Sequence, residues 1–481
     1  MQKFKFLSKE KKSNTNNNNN NNNLNNNSDL QDSLSVASER KLVSRNAVIC
    51  SSGKDKYRYD SERADVPSRP VDAELETPVS PIILNHHDCI NRPSTATSQR
   101  SLYECSTPET QFSNHLSPTT SKEHLNPQVV RRDTVVKRFE MQSSRFENGK
   151  FHNPWRDYKS PTFTNILKLG LSSDKSNVSP KQDLSLSLPL LVPNIKEKAQ
   201  ENTFRVTWIG HSTILAEMDN ISVLTDPIFS ERASPSQVFG PKRYRDPPCT
   251  IHDLPSNLDA VVISHSHYDH LDLNTVVHLN ARYGNDLRWF IPLGLADWFN
   301  RVGCENVIEL DWWEENCVPD KSDVSFVFTP CQHWSKRTLT DDNKSLWGSW
   351  VIKGPKFRFF FAGDTGYCDV FKKIGIVYGP FDVAAIPIGS YEPRWYMKHQ
   401  HVNPEEAVQI HQDIRSKFSI AVHWGTFSMS NEYFLDPPVR LREALDKHKL
   451  DRHEFVTFMH GETRIVSDDG KVNTTTRTRI V

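Results

Sequence analysis

Four residues of metal-binding type crowd into one short stretch of this chain: His265, His267, Asp269 and His270, within VVISHSHYDHLD (261–272). Neutral imidazoles and a carboxylate suit Zn²⁺ or Fe, whereas Ca²⁺ and Mg²⁺ favour shells built from oxygen. In an extended segment residues two apart point the same way, so His265 and His267 can share one ion. The turn that follows can aim Asp269 and His270 at a second. The plain alternative is a polar helix start with chance histidines. The H-x-H-x-D-H order directly after an apolar run argues against it.

One turn cannot complete a two-ion site, so other apolar runs should also end in His or Asp. VSFVFT (324–329) runs into Pro330, Cys331, Gln332 and His333, FRFFFAG ends at Asp364, and FSIAV ends at His423. We assign His265, His267 and His333 to one zinc ion and Asp269, His270 and His423 to another, with Asp364 bridging. Two ions about 3.5–4 Å apart can share a hydroxide from a water whose pKa falls toward about 7, and can neutralise charge building on an attacked phosphorus or carbonyl. Asp226, ending ISVLT, is expected to orient a ligand imidazole. Cys331 is set aside for His333, because its thiol faces differently along the loop. His211 reads as a hydrogen-bonding residue rather than a ligand. His278, His411, His448 and His453 read as surface helix histidines, and the role of His460 is open.

These side chains need strands to carry them. FRVTWIG (204–210), STILAEM (212–218) and ISVLTD (221–226) predict an antiparallel meander. DAVVIS then leads into the metal stretch, with a helix expected at 273–282. LRWFI (287–291), a helix at 293–301, VIEL (307–310) and VSFVFT continue the alternation. LWGSWVIK (346–353) and KFRFFFAGD (356–364) predict a second pair of strands. DVAAIP (382–387), a helix at 404–414, FSIAVHWG (418–425), a helix at 438–447 and FVTFM (455–459) close the domain. Two such halves predict an α/β sandwich of two facing sheets with helices outside.

The order is not spread evenly. Residues 1–145 include an almost unbroken asparagine run at 14–27 and many Ser, Pro and Thr, too little apolar surface to offset the entropy of ordering. A disordered tail is expected there, an arm and linker at 146–202, the catalytic domain at 203–468 and a flexible C-terminus at 469–481. In the arm, Phe151, Trp155, Tyr158 and Phe163 precede Ile166, Leu167, Leu169 and Leu171. Such an arm either packs its aromatics on the domain, or dips into a bilayer or lines an acyl-chain groove. The 59 basic residues balance 59 acidic ones, so bulk charge gives no nucleic-acid partner. Eight cysteines without CxxC spacing, and no secretory signal, predict free thiols in a reducing compartment. No apolar run approaches the roughly 18 residues of a membrane-spanning helix, so a soluble or peripherally attached protein is expected.

At these residues the chain resembles the metallo-β-lactamase superfamily, whose ligand order His-x-His-x-Asp-His, His, Asp, His it reproduces. Within it the chain more closely resembles the N-acyl-phosphatidylethanolamine-hydrolysing phospholipases D, through WIGHST, LTDPIFSERASPSQ, SHSHYDHLD, FTPCQHWSKRTL, FFFAGDTGYC, AAIPIGSYEPRWYMKHQHV and VHWGTF. The likeness runs from about residue 149 to about 464. It implies a four-layer αββα sandwich with two Zn²⁺ per chain on the seven ligands named above. It also implies hydrolysis of membrane N-acyl-phosphatidylethanolamine to an N-acylethanolamine and phosphatidic acid. Tyr268, Gln400 and His401 would contact substrate. Lys336, Thr340 and Ser428 would line a groove for bile-acid-like amphiphiles, although Thr340 is less apolar than the family pattern and Val238 replaces an aromatic. The resemblance further implies a homodimer, peripheral on internal membranes of Golgi or endosome type. The rivals are another hydrolase of the same fold (nuclease, thioesterase or lactonase) and a membrane-docked binding protein without turnover.

Overall fold

The computed structural model describes residues 141–160, 184–195 and 199–475. The asparagine-rich segment and the amphipathic stretch at 166–171 lie outside the described residues. A hairpin, β1 (Phe146–Glu147) and β2 (Lys150–Phe151), and one helical turn, α1 (Leu184–Ser187), precede the main domain. Its first half holds β3 (Thr203–Gly210), β4 (Thr213–Met218), β5 (Ile221–Thr225), β6 (Ala260–Val262), α2 (Leu273–Tyr283), β7 (Arg288–Pro292), α3 (Ala296–Arg301) and β8 (Val307–Leu310). The second half opens with β9 (Glu315–Val318), β10 (Lys321–Thr329), β11 (Ser349–Lys353), β12 (Arg358–Phe361), α4 (Val370–Val377) and β13 (Val383–Pro387). It continues through α5 (Arg394–Met397), α6 (Pro404–Asp413), β14 (Ser419–Val422), α7 (Asp436–His448) and β15 (Phe455–Thr457). The chain then returns as β16 (Thr463–Ser467) and β17 (Val472–Thr474).

The strands form an eight-stranded sheet, β17-β16-β3-β4-β5-β6-β7-β8, and a seven-stranded sheet, β15-β14-β13-β12-β11-β10-β9. Alternation along each strand explains the layers. Phe204, Val206 and Trp208 of β3, Val223 of β5, Val262 of β6 and Phe290 of β7 face the second sheet, in one core with Phe326, Phe328, Trp350 and Phe359. Their neighbours Ile209, Leu224, Val261, Ile263 and Trp289 face outward against Val276 and Leu279 of α2 and Phe299 of α3. Phe290 stacks on Phe326 across the sheets at 4.1 Å, and the Trp350 indole N–H donates to the Ile263 carbonyl at 2.8 Å. The result is the expected four-layer αββα sandwich.

Strand direction decides where the polar ends meet. β3 and β4 pair antiparallel, as do β4 and β5, while β5, β6 and β7 are parallel. So β3, β5 and β6 run the same way. In the other sheet β10 and β11 are antiparallel, as are β11 and β12, and β12, β13 and β14 are parallel. So β10, β12 and β14 also share a direction. His211, Asp226, the 265–270 turn, His333, Asp364 and His423 each follow one of these strands.

Several expectations are corrected. Residues 141–145 belong with the arm, since the Trp313 indole donates to the Gln142 carbonyl at 2.9 Å and Ser144 donates to Asp311 at 2.7 Å. Part of the linker is packed: Leu188, Leu191 and Ile195 are buried, and Leu191 N–H donates to the His460 carbonyl. The C-terminus is not wholly flexible, because β17 pairs with β16. Nor does 455–459 close the domain, because β16 crosses back to pair with β3. His411 is buried rather than on the surface, its ring stacked on Phe455 and its Nδ1 2.8 Å from Ser419 Oγ. Among the described residues no helix is long and apolar enough to cross a membrane.

Candidate metal centre

All seven expected ligands meet at one edge of the sandwich. His265 Nε2 lies 2.8 Å from His267 Nδ1, which lies 3.2 Å from His333 Nε2. His270 Nε2 is 3.1 Å from both Asp269 Oδ2 and Asp364 Oδ2. His423 Nε2 is 3.3 Å from Asp269 Oδ2 and 3.2 Å from Asp364 Oδ1. Asp364 Oδ2 also stands 3.9 Å from His265 Nε2 and 3.8 Å from His333 Nε2, so it touches both halves of the cluster.

The residues fit divalent ions. Three nitrogens aimed at a common point repel unless a cation sits between them, and a tetrahedral ion with Zn–N of about 2.0–2.1 Å spaces its ligands about 3.4 Å apart. His270 Nε2 and Asp364 Oδ1 face the cluster, buried and close to other polar atoms but without a bond of hydrogen-bond geometry, a costly state for protein alone. Histidine with carboxylate is a donor set for zinc or iron.

The rest of the ligand geometry is held from behind. Asp226 accepts from Ser264 N at 2.7 Å and Ser264 Oγ at 2.5 Å, and its Oδ2 lies 2.6 Å from His270 Nδ1. Ser264 Oγ also meets His265 Nδ1 at 2.9 Å, so this serine orients the His265 ring directly and the His270 ring through Asp226. His333 Nδ1 donates to the Gln400 carbonyl at 2.9 Å. Gln332 N donates to Thr365 Oγ1, and Gly366 N to the Gln332 carbonyl, tying the His333 loop to the Asp364 loop. From the arm, Asn153 donates to the His333 carbonyl at 2.5 Å and the Trp155 indole to the Cys331 carbonyl at 3.2 Å. That role for the arm was not read from the sequence, since nothing local to 149–158 points to a contact about 180 residues away. Ser264 was also passed over, although it stands between the β6 run and the ligand turn.

Charge follows the geometry. Burial presses His333 and His401 down to about 3 and His267 to about 4, leaving neutral imidazoles. Burial also opposes charge on His423, but Asp364 and Asp269 outweigh it and hold that ring up to about 9. His270 is raised well above its ordinary value against burial by Asp364, Asp269 and Asp226. Asp269 and Asp364, though buried, are held well below the usual carboxylate range by the neighbouring histidines.

The centre lies at the floor of a cleft of about 550 Å³, lined by Tyr268, Lys336, Gln400 and His401 together with Trp334, Leu339, Tyr396, Met397 and Met429. His401 Nδ1 is 3.7 Å from Asp364 Oδ2. Tyr268 donates its hydroxyl to the Arg337 carbonyl at 2.6 Å, and Gln400 Oε1 accepts from the Trp334 indole at 2.6 Å, so both offer the cleft their remaining faces. The three residues of the expected amphiphile groove are not brought into one cavity. Lys336 lines the cleft, Thr340 is exposed one residue beyond Leu339, and Ser428 borders a separate small cavity behind His423. Val238 stands exposed. His460 is buried, stacked on Trp208 at 4.4 Å and 3.1 Å from Thr426 Oγ1, away from the ligands.

A beta-lactamase superfamily domain profile matches residues 222–424. Over 334 residues the chain is 42% identical to N-acyl-phosphatidylethanolamine-hydrolyzing phospholipase D 1 of Caenorhabditis elegans, covering 67% of this chain and 93% of that protein. The chain belongs to this phospholipase D family. The mitochondrial N-acyl-phosphatidylethanolamine-hydrolyzing phospholipase D of Saccharomyces cerevisiae is 35% identical over 277 residues, 55% of this chain and 58% of the yeast protein. Among solved structures, the metallo hydrolase Igni18 of Ignicoccus hospitalis is 21% identical, with a TM-score of 0.42 over 55% of this chain and 98% of its own. As a member of the phospholipase D family, with a buried His/Asp cluster on this fold, the protein is a metal-dependent hydrolase.

Proposed function

We propose that this protein is a zinc-dependent phospholipase D that hydrolyses N-acyl-phosphatidylethanolamine to an N-acylethanolamine and phosphatidic acid. The observation that carries the reading is a seven-residue His/Asp cluster at the floor of a cleft with apolar walls, in a member of this family. His265, His267 and His333 would hold one ion, Asp269, His270 and His423 the other, and Asp364 both. When bound, the pair supplies a water acidified toward a pKa of about 7 and neutralises charge on the phosphoryl oxygens. The water oxygen joins phosphorus, the bond from phosphorus to the ethanolamine oxygen breaks, and that oxygen takes up a proton.

The chain's own side chains do the rest. Leu339, Tyr396, Met397 and Met429 offer apolar surface to acyl chains, and the Lys336 ammonium faces the phosphate charge. His401, neutral and beside Asp364, hydrogen-bonds the headgroup where the leaving oxygen departs. Exposed Phe239, Leu339 and Trp395 support a peripheral position on internal membranes, and we include a homodimer in the same reading.

The test is product analysis by mass spectrometry on vesicles of phosphatidylcholine and N-acyl-phosphatidylethanolamine. We expect both products to appear, to vanish on chelation and to return with zinc. Hydrolysis of RNA or a thioester, with the lipid untouched, would assign the site to another reaction of the same fold.

A further inference from the structure

His211 follows β3 with φ +52°, in the left-handed region that most side chains avoid. Its backbone explains why the chain turns there. The N–H donates to Thr426 Oγ1 at 2.8 Å, and the carbonyl accepts from the Trp208 indole at 2.9 Å and from His423 N at 3.0 Å. One residue therefore joins the end of β3 in the first sheet to the ligand loop after β14 in the second.

The side chain is buried against the cluster. His211 Nε2 is 2.9 Å from Asp269 Oδ2, and the ring centre is 4.1 Å from that of His423. An ionised carboxylate only accepts, so Nε2 carries the hydrogen and is not free to bind metal. Nδ1 of the neutral ring is then a bare acceptor, and it has no protein partner.

His423 has the complementary need. A ligand imidazole bound through one nitrogen carries its hydrogen on the other, and normally donates it to carboxylate, carbonyl or water. Nδ1 of His265, His270 and His333 meet Ser264, Asp226 and the Gln400 carbonyl. Nδ1 of His423 is buried and meets nothing. Both His211 and His423 line a small cavity of about 20 Å³ that Ser390 and Ser428 also border. A single water needs about 10–15 Å³ on this measure.

We propose that His211 is a positioning residue for the second half of the metal centre. Its Nε2–H fixes the ligand carboxylate of Asp269, and its Nδ1 shares one buried water with Nδ1–H of His423. The water accepts from His423 and donates to His211, so each ring holds the tautomer the site requires. This rests on the two-ion reading of the centre, and the wild-type protein serves as its control.

The experiment is a zinc titration of metal-stripped, full-length protein against a competing chelator, with thermal melting as a second readout. It compares wild type with His211→Ala, His211→Gln and His211→Asn. Gln can place a donor where Nε2 lies, whereas Asn substitutes only for the Nδ1 side. For Ala we expect one ion to bind as in wild type and the other roughly 10–100-fold more weakly. Gln should recover most of that loss and Asn should not. If Ala fails to fold, the contrast between Gln and Asn still decides. Equal weakening of both ions in step with melting, or Gln no better than Asn, overturns the positioning role. A wild type that takes up fewer than two ions overturns the two-ion reading and this proposal with it. In a high-resolution crystal structure, a water within hydrogen-bond distance of both Nδ1 atoms supports the shared-water half, and a dry cavity overturns it.

Discussion

Asp226 never reaches the cleft, yet Ser264 N, Ser264 Oγ and His270 Nδ1 all converge on its fully buried carboxylate. Burial pushes its pKa up, and the charge and hydrogen bond of His270 oppose that. Replacing it with Asn removes one acceptor and the charge behind the ligand ring. We expect Asp226→Asn to lose about 10–100-fold in metal affinity, with the melting temperature of the metal-stripped protein nearly kept. Asp364→Asn, which alters the one carboxylate touching both halves, should abolish turnover in a protein that still melts cooperatively. Near-normal activity in the Asp364 variant would contradict the ligand assignment. At this scale the gathering of the seven His and Asp residues was legible because each stands just past an apolar run, where a buried strand must surface. His411 was misread because a polar residue on a helix looks solvated until its partner is known, and Ser419 sits on a different element.

Among the elements, the ends of β6, β10, β12 and β14 do the positioning, and glycines set how closely the loops behind them pass. A Cβ at Gly389, after β13, would run into the carbonyl oxygen of His423. Gly389→Ala must therefore push the β14 ligand loop away. We expect a drop in stability of about 1–3 kcal/mol, as for overpacking, together with weaker binding of the ion held by His423. Thermal melting and zinc titration check the two effects, and unchanged values in both would show that the loop yields freely. Most strands were readable from alternation or apolar runs. The sequence reading passed over β9, whose ENCV has no alternation to mark an edge strand, and α4, where a short VFKKIGIV resembles a loop until Phe371 and Ile374 are seen in the core. The return of β16 to β3 pairs residues about 256 apart, and no local pattern encodes it.

For the molecule as a whole, the sandwich brings together ligands from both sheets, so global stability and metal binding are linked. His460 lets part of that stability be tested. Burial first, then the Arg243 and Arg245 charges, press its pKa down to about 3, against about 6.5 when unfolded. The folded protein keeps it neutral while the unfolded chain takes up a proton. Its contribution is thus fully present above about pH 6.5 and fades as pH falls toward about 3. His460→Gln should flatten the decline of melting temperature between about pH 6.5 and 4, and an unchanged slope would remove His460 from the account. The arm belongs to this scale too, because Asn153 and Trp155 reach the His333 loop from a segment that the sequence left between two readings. The central claim is that side chains from both sheets hold two ions at one edge. Anomalous diffraction at the zinc edge from crystals of the full-length protein tests it most directly. We expect two peaks about 3.5–4 Å apart, one among His265, His267 and His333 and one among Asp269, His270 and His423, with Asp364 between them. A single peak, or peaks away from these residues, would contradict it.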